Sequence, residues 1–204
     1  TLLAADALHA FLKSVPPRVV VVLDEAYGEF LDAELQAPSV AWLAEFPNLV
    51  LTRTFSKAYG LAGLRVGYAL AHADVAGMLN RVRQPFNVNT LALLAATAAL
   101  NDAAFIAESK QVNDAGMRQM LQGFQAMRLE HIPSYGNFVC VKVGNPERGA
   151  GDVFQALLRS GVIVRPVGNY GMPDHLRVSI GLPEQNARFL TVLGEILNAA
   201  PVRA

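Results

Sequence analysis

The chain has 204 residues, 52% hydrophobic and 17% charged, with Lys+Arg and Asp+Glu both at 17 and no net charge at pH 7. That is enough for one large domain or two small ones with a sizeable core. The balanced charge favours neither nucleic acid nor an anionic membrane surface as a partner. The chain opens at Thr1 without a methionine and runs directly into a helical pattern, so it reads as an internal fragment or a processed product. No apolar run reaches the roughly 18 residues of a membrane span, and there is no signal-peptide pattern.

Ala4–Ser14 reads as an amphipathic helix ended by Pro16 and Pro17. Val19–Leu23 is a continuous apolar run, the pattern of a strand buried on both faces. A loop with a short helix around Trp42 leads to a second strand, Leu49–Phe55, and a third, Val66–Ala71. Helical patterns between strands indicate an α/β layer with a mainly parallel sheet. Asp74–Val82 reads as a helix, and Gln84–Asn89 as a loop. Asn89 or Thr90 is suited to cap the Ala-rich helix that ends at Leu100, and a long helix runs from about Ala103 to Glu130.

The character then changes. Phe138–Val143 reads as a strand, Asp152–Ser160 as a helix closed by Gly161, and Val162–Arg165 as a strand. Leu176–Ile180 alternates, so that Arg177 and Ser179 share the face opposite Leu176, Val178 and Ile180, and Glu184–Ala199 reads as the last helix. The expected organisation is an α/β portion, 1–104, followed by a small α+β domain, 105–204. Cys140, the only cysteine, excludes an internal disulfide framework, fits a reducing compartment and is expected to be buried and inert. His9, His72, His131 and His175 are scattered without metal-ligand spacing and read as surface or helix-end residues; no metal is expected.

The chemistry concentrates in two segments. Asp24 follows four valines and a leucine, at the carboxyl end of a predicted strand, where open α/β sheets bind ligands. Alone it reads as well as an N-cap or turn aspartate. Tyr27 alone reads as packing. Lys57, in Thr52-Arg-Thr-Phe-Ser-Lys-Ala-Tyr-Gly-Leu-Ala-Gly-Leu-Arg65, is either a solvated charge or an amine able to form a Schiff base with a carbonyl cofactor. Thr54 and Ser56 put hydroxyls beside it, Gly60 and Gly63 let the backbone turn, and Arg65 supplies a guanidinium fork suited to phosphate. Taken in order, Asp24, Tyr27, Ser56, Lys57 and Arg65 provide each contact that pyridoxal phosphate requires.

This arrangement resembles the fold-type I, aspartate aminotransferase-like transferases. Asp24-Glu-Ala-Tyr27 and Ser56-Lys-Ala-Tyr-Gly-Leu-Ala-Gly-Leu-Arg-Val-Gly-Tyr68 are most similar to the histidinol-phosphate aminotransferase family, as are Gln84–Asn89, Tyr135–Phe138, Gly161–Pro166 and Leu176–Gly181. The resemblance covers essentially the whole chain. It implies that residues 1–104 are the C-terminal part of the large pyridoxal-phosphate domain, with Lys57 carrying the cofactor, Asp24 facing its ring nitrogen and Tyr27 its ring hydroxyl. Thr54, Ser56 and Arg65 would hold the phosphate. Arg177, Arg165 and Asn137 would bind substrate, Arg177 taking its anionic end and Arg165 helping with a phosphate.

The implied activity is transamination between histidinol phosphate, a phosphorylated amino alcohol, and 2-oxoglutarate, giving imidazole acetol phosphate and glutamate in histidine biosynthesis. A cytoplasmic homodimer is implied, the Pro85–Asn89 loop reaching toward the partner. An aromatic amino-acid aminotransferase, a threonine-phosphate decarboxylase and the ligand-sensing domain of a transcriptional regulator are the alternatives. The family's long N-terminal part has no counterpart in these residues, so the chain is expected to hold the Lys57 half of the site.

Overall fold

The computed structural model describes residues 2–199, which divide into two units, Leu2–Lys110 and the part from Gln111 onward. In the first, α1 (Ala5–Ser14) places Ala5, Leu8 and Leu12 on one face, at the three- and four-residue spacing of a helix, against Trp42, Phe46, Leu49 and Leu51. Val15 is extended (φ −81°, ψ 127°), as the following Pro16 requires, and the helix stops there. His9 is packed rather than free at the surface: its ring lies 5.2 Å from that of Trp42, and Nε2 is 2.8 Å from Glu45.

Three strands follow: β1 (Val21–Asp24), β2 (Leu49–Thr54) and β3 (Gly67–Ala71), in the order β1-β2-β3. β1 and β2 are parallel and β2 and β3 antiparallel. The β2–β3 connection contains only a 3₁₀ turn, Ala62–Leu64, in place of the crossover helix that a parallel return needs. The class is α/β as expected, with one parallel and one antiparallel pairing here. The expectation that Val19–Leu23 is covered on both faces fails. Val21 and Leu23 pack on the α1 side, but Val20 is 57% and Val22 60% exposed, and neither joins a core cluster among the described residues.

The helix α2 (Ser39–Trp42) precedes β2, and α3 (Ala73–Val82) and α4 (Thr90–Leu100) follow β3. Asn89 caps α4, its Oδ1 accepting the Ala92 N–H at 2.9 Å. Ala92 and Ala96 of α4 pack with Phe55 and Val66.

The long helix α5 (Ala103–Ala126) carries the chain from one unit into the next and ends four residues earlier than expected. Arg128 takes the left-handed conformation (φ 56°), Leu129 N–H bonds the Phe124 carbonyl and Arg128 N–H that of Gln125. This is a Schellman ending with arginine where glycine is usual. The second unit is a four-stranded antiparallel sheet of β4 (His131–Ile132), β5 (Phe138–Lys142), β6 (Arg165–Pro166) and β7 (His175–Ser179), in the order β4-β5-β7-β6. Val139, Val141, Leu176 and Val178 pack with Met120 and Phe124 of α5, Val153 and Leu157 of α6 (Ala150–Arg159), and Phe189 and Leu193 of α7 (Pro183–Asn198). Of the expected strand Val162–Arg165 only Arg165 joins the ladder, together with Pro166 just beyond it. Gly161 closes α6 in a left-handed turn, φ 74°, and the next three residues run on from that turn without ladder pairing.

Candidate active site

The carboxyl ends of the parallel pair β1–β2 are where an open α/β sheet offers a ligand site, and both chemistry-bearing segments leave from there. Asp24 is the last residue of β1 and pairs with Thr52. Its carboxylate is exposed, and Oδ1 accepts the Ala26 N–H at 3.1 Å, which tightens the turn toward Tyr27. Thr54 is the last residue of β2, and its Oγ1 accepts the Ser56 N–H at 3.0 Å. Lys57 is exposed, with Nζ 5.5 Å from the centroid of the Tyr27 ring.

The Lys57 turn is closed by its own backbone. Gly60 N–H donates to the Lys57 carbonyl and Leu61 N–H to that of Phe55, both at 2.9 Å, with Gly60 left-handed at φ 70°. Arg65 is also left-handed (φ 52°, ψ 53°). That turns its guanidinium back over the loop, where Nη1 donates to the Ala62 carbonyl at 2.9 Å and lies 3.4 Å from Ser56 Oγ. The fold therefore brings Asp24, Tyr27, Thr54, Ser56, Lys57 and Arg65 to one end of β1 and β2. Together they offer a carboxylate, an amine, hydroxyls and a guanidinium, a set matched to an anionic group beside a basic ring nitrogen.

Ladder partners share a face, so Val22, Asp24, Thr52 and Thr54 lie on one side of the sheet and Leu23, Leu51 and Arg53 on the other. The second side carries a charge cluster absent from the sequence reading. Arg53 Nε and Nη2 donate to one oxygen of Glu25 at 2.9 and 2.8 Å, with side chains 32% and 16% exposed. Tyr68 stands opposite Arg53 on β3. Glu29, after Tyr27, has one carboxyl oxygen that is buried without a hydrogen-bond partner. Burial pushes the Glu29 carboxyl above its ordinary value, and Arg53 acts in the other direction. Burial also pushes the Tyr59 phenol up, aided by the Glu29 charge. The available signal was parity: Arg53 falls two residues after Leu51, and Glu25 two after Leu23, so both continue the core-facing register.

In the second unit, Arg177 is half-buried on β7, its guanidinium carbon 5.1 Å from the Phe138 ring centroid. It pairs with Cys140 on one side and Arg165 on the other, so the three form one row on the face opposite Leu176 and Val178. Arg165 is exposed. Asn137 is half-buried, and its carbonyl accepts the Ile180 N–H at 2.9 Å, joining the entry to β5 with the exit of β7. Cys140 is half-buried, not enclosed as expected, because it faces away from the Val139–Val141 core. Burial still pushes its thiol up, against the opposing charge of Arg177. Among the described residues no group of His, Cys, Asp and Glu is placed to hold a metal.

The family model for "Aminotransferase class I and II" matches residues 1–193. The chain is 58% identical over its full length to histidinol-phosphate aminotransferase 1 of Thiobacillus denitrificans, covering 52% of that protein. It is 59% identical over 97% of its length to histidinol-phosphate aminotransferase 2 of Pseudomonas aeruginosa, covering 53% of it. The chain thus spans about half the length of the curated relatives it matches. Among solved structures, the histidinol-phosphate aminotransferase of Sinorhizobium meliloti in complex with pyridoxal-5'-phosphate superimposes with a TM-score of 0.90 at 29% identity, over 97% of this chain and 54% of that one. From the extent of the family match and the fold it shares with these proteins, the chain belongs to the class I and II aminotransferases.

Proposed function

We propose that this chain is the cofactor-anchoring part of a pyridoxal-phosphate aminotransferase that exchanges the amino group of histidinol phosphate with 2-oxoglutarate. The observation that carries the reading is the approach of Lys57 Nζ to the Tyr27 ring, beside Asp24, at the carboxyl ends of β1 and β2. When bound, the cofactor supplies an aldehyde for an amine and an electron-poor ring that takes up the electron pair left at the substrate carbon. Asp24 would hold a proton on the ring nitrogen, and Tyr27 would donate to the ring oxygen. Thr54, Ser56 and Arg65 would hold the phosphate. Lys57 would hold the cofactor through its amine, and the free amine would act as the general base at the substrate α-carbon. Arg177 and Arg165 would bind the anionic end of the substrate, with Asn137 just before β5, at the exit of β7.

The choice of substrate rests on relatives 54–59% identical that carry the histidinol-phosphate aminotransferase name and on the two opposed arginines. The functional unit in this reading is a homodimer. Its support is the exposed apolar surface around the 85–89 loop, with Val82 78%, Phe86 97% and Leu91 73% exposed. Sedimentation showing an active monomer would contradict that.

The test is an amino-transfer assay on the full-length protein with histidinol phosphate and 2-oxoglutarate, set against aromatic oxoacids. Lys57→Ala should abolish both turnover and the absorbance of the lysine-linked cofactor. Turnover at the parent rate in that variant, or preference for an aromatic oxoacid in the parent, overturns the assignment.

A further inference from the structure

The two segments that hold the cofactor side chains are tied together from the opposite face of the sheet. Glu25 directly follows Asp24, and Arg53 directly precedes Thr54. Their ion pair therefore links the residue after one cofactor group to the residue before another, across the β1–β2 ladder. Both guanidinium donors converge on a single carboxylate oxygen, and both side chains are largely buried. Arg53 is also anchored toward β3, where Tyr68 stands opposite and its hydroxyl is within electrostatic reach of the guanidinium.

A buried pair of this kind is weak evidence for stability, since apolar residues of similar volume are often as stable or more so. What it gives is a defined geometry. Two charge-assisted bonds to one oxygen hold the Glu25 and Arg53 side chains together beside Asp24 and Thr54. Glu29 lies beside the pair with one oxygen buried and unpartnered, so the region accommodates a second carboxyl without giving it the arginine.

We propose that Glu25 and Arg53, backed by Tyr68, form a positioning unit that presets the separation of the Asp24–Tyr27 segment from the Lys57 turn, so that the cofactor meets both without rearrangement. The inference rests on the pyridoxal-phosphate reading above. In the full-length protein, loss of cofactor binding in the parent itself would remove that reading, whatever the pair does. With binding established, Glu25→Gln, Arg53→Lys and the double variant are compared for three properties: the dissociation constant of pyridoxal phosphate, the pH midpoint of its lysine-linked absorbance, and the Tm difference between loaded and cofactor-free protein.

The expected result is a dissociation constant raised about tenfold or more in each single variant, a displaced pH midpoint, a smaller Tm gain on loading, and a double variant no worse than the singles. A parental dissociation constant and pH midpoint, with loaded and free protein losing the same Tm, would make the pair a structural clamp only and overturn the proposal. Tyr68→Phe, which removes a single hydroxyl, serves if the charge variants fail to fold. A rise of about threefold or more in its dissociation constant supports the unit, and parental values overturn it.

Discussion

Arg165 stands directly opposite Arg177 on neighbouring strands, and both leave the same face of the second sheet. Like charges in that relation repel by several tenths of a kcal/mol or more, and an anion shared between the two forks removes the repulsion. A phosphate dianion suits two forks better than a carboxylate does, and each charge-assisted bond contributes roughly 1.5–3 kcal/mol. Arg165→Ala should therefore lower kcat/KM for histidinol phosphate about ten- to a hundredfold, and that for glutamate less, since in the proposed reading the carboxylate relies on Arg177. Equal losses for both donors would leave Arg165 without a part in phosphate recognition.

Asp24→Asn should separate catalysis from folding. Among the described residues the Asp24 side chain makes one hydrogen bond, accepting the Ala26 N–H, and an amide oxygen accepts it equally well. The side chain is exposed, so Tm should move by no more than a degree or two. An amide cannot keep a proton on the ring nitrogen, and the barrier should rise by about 4 kcal/mol, close to a thousandfold in kcat. An unchanged kcat rules out the role given to Asp24.

Two glycines should respond in opposite senses to alanine. A Cβ on Gly67 would lie 2.7 Å from the Arg53 carbonyl oxygen, and that atom is backbone and cannot swing away. Gly67→Ala should cost about 1–3 kcal/mol and loosen the strand ends that flank the Lys57 turn. Gly77, inside α3, has nothing within 4 Å of such a Cβ, and Gly77→Ala should stabilise by about 0.5–1 kcal/mol. Urea unfolding of the two variants beside the parent measures both.

Glu29 should make stability fall as pH rises. Its carboxyl is pushed above the ordinary value of 4.5, chiefly by burial, so the folded chain holds the proton to higher pH than the unfolded chain. The unfavourable contribution is absent below about 4.5, grows as pH rises from there, and is complete once the folded carboxyl has also ionised. Glu29→Gln should raise Tm at neutral pH, with the gain shrinking toward pH 4. A gain independent of pH would contradict this account.

Much of the fold could be read from the residues because local signals and packing agreed. Asn89 capped the helix it was suited to cap, Gly161 ended α6, and the alternation of Leu176, Arg177 and Val178 matched their burial. The Ser56–Arg65 run announced its turn through Gly60, and the structure brings it to Asp24 and Tyr27. The failures share a cause: they depended on neighbours in space. Apolar character alone could not tell that Val22 faces outward while Leu23 packs inward. Nor could it tell that Val162–Val164 lack a ladder partner, or that Arg128 takes a conformation usually left to glycine. The Glu25–Arg53 pair was hidden because each residue read as an ordinary charge beside a motif; only strand pairing places them within hydrogen-bonding distance.

The exposed side of β1 carries a consequence for handling the chain. Val19-Val-Val-Val-Leu23 has no charge, proline or glycine, consists almost wholly of β-branched residues, and ends in a strand with one free hydrogen-bonding edge among the described residues. Such a segment can template cross-β stacking between copies. Expressed alone, this stretch of chain should accumulate as aggregates that bind amyloid dyes. A lysine in place of Val22, on the outward face, should act as a gatekeeper that keeps it dispersed without disturbing the Leu23 side of the strand.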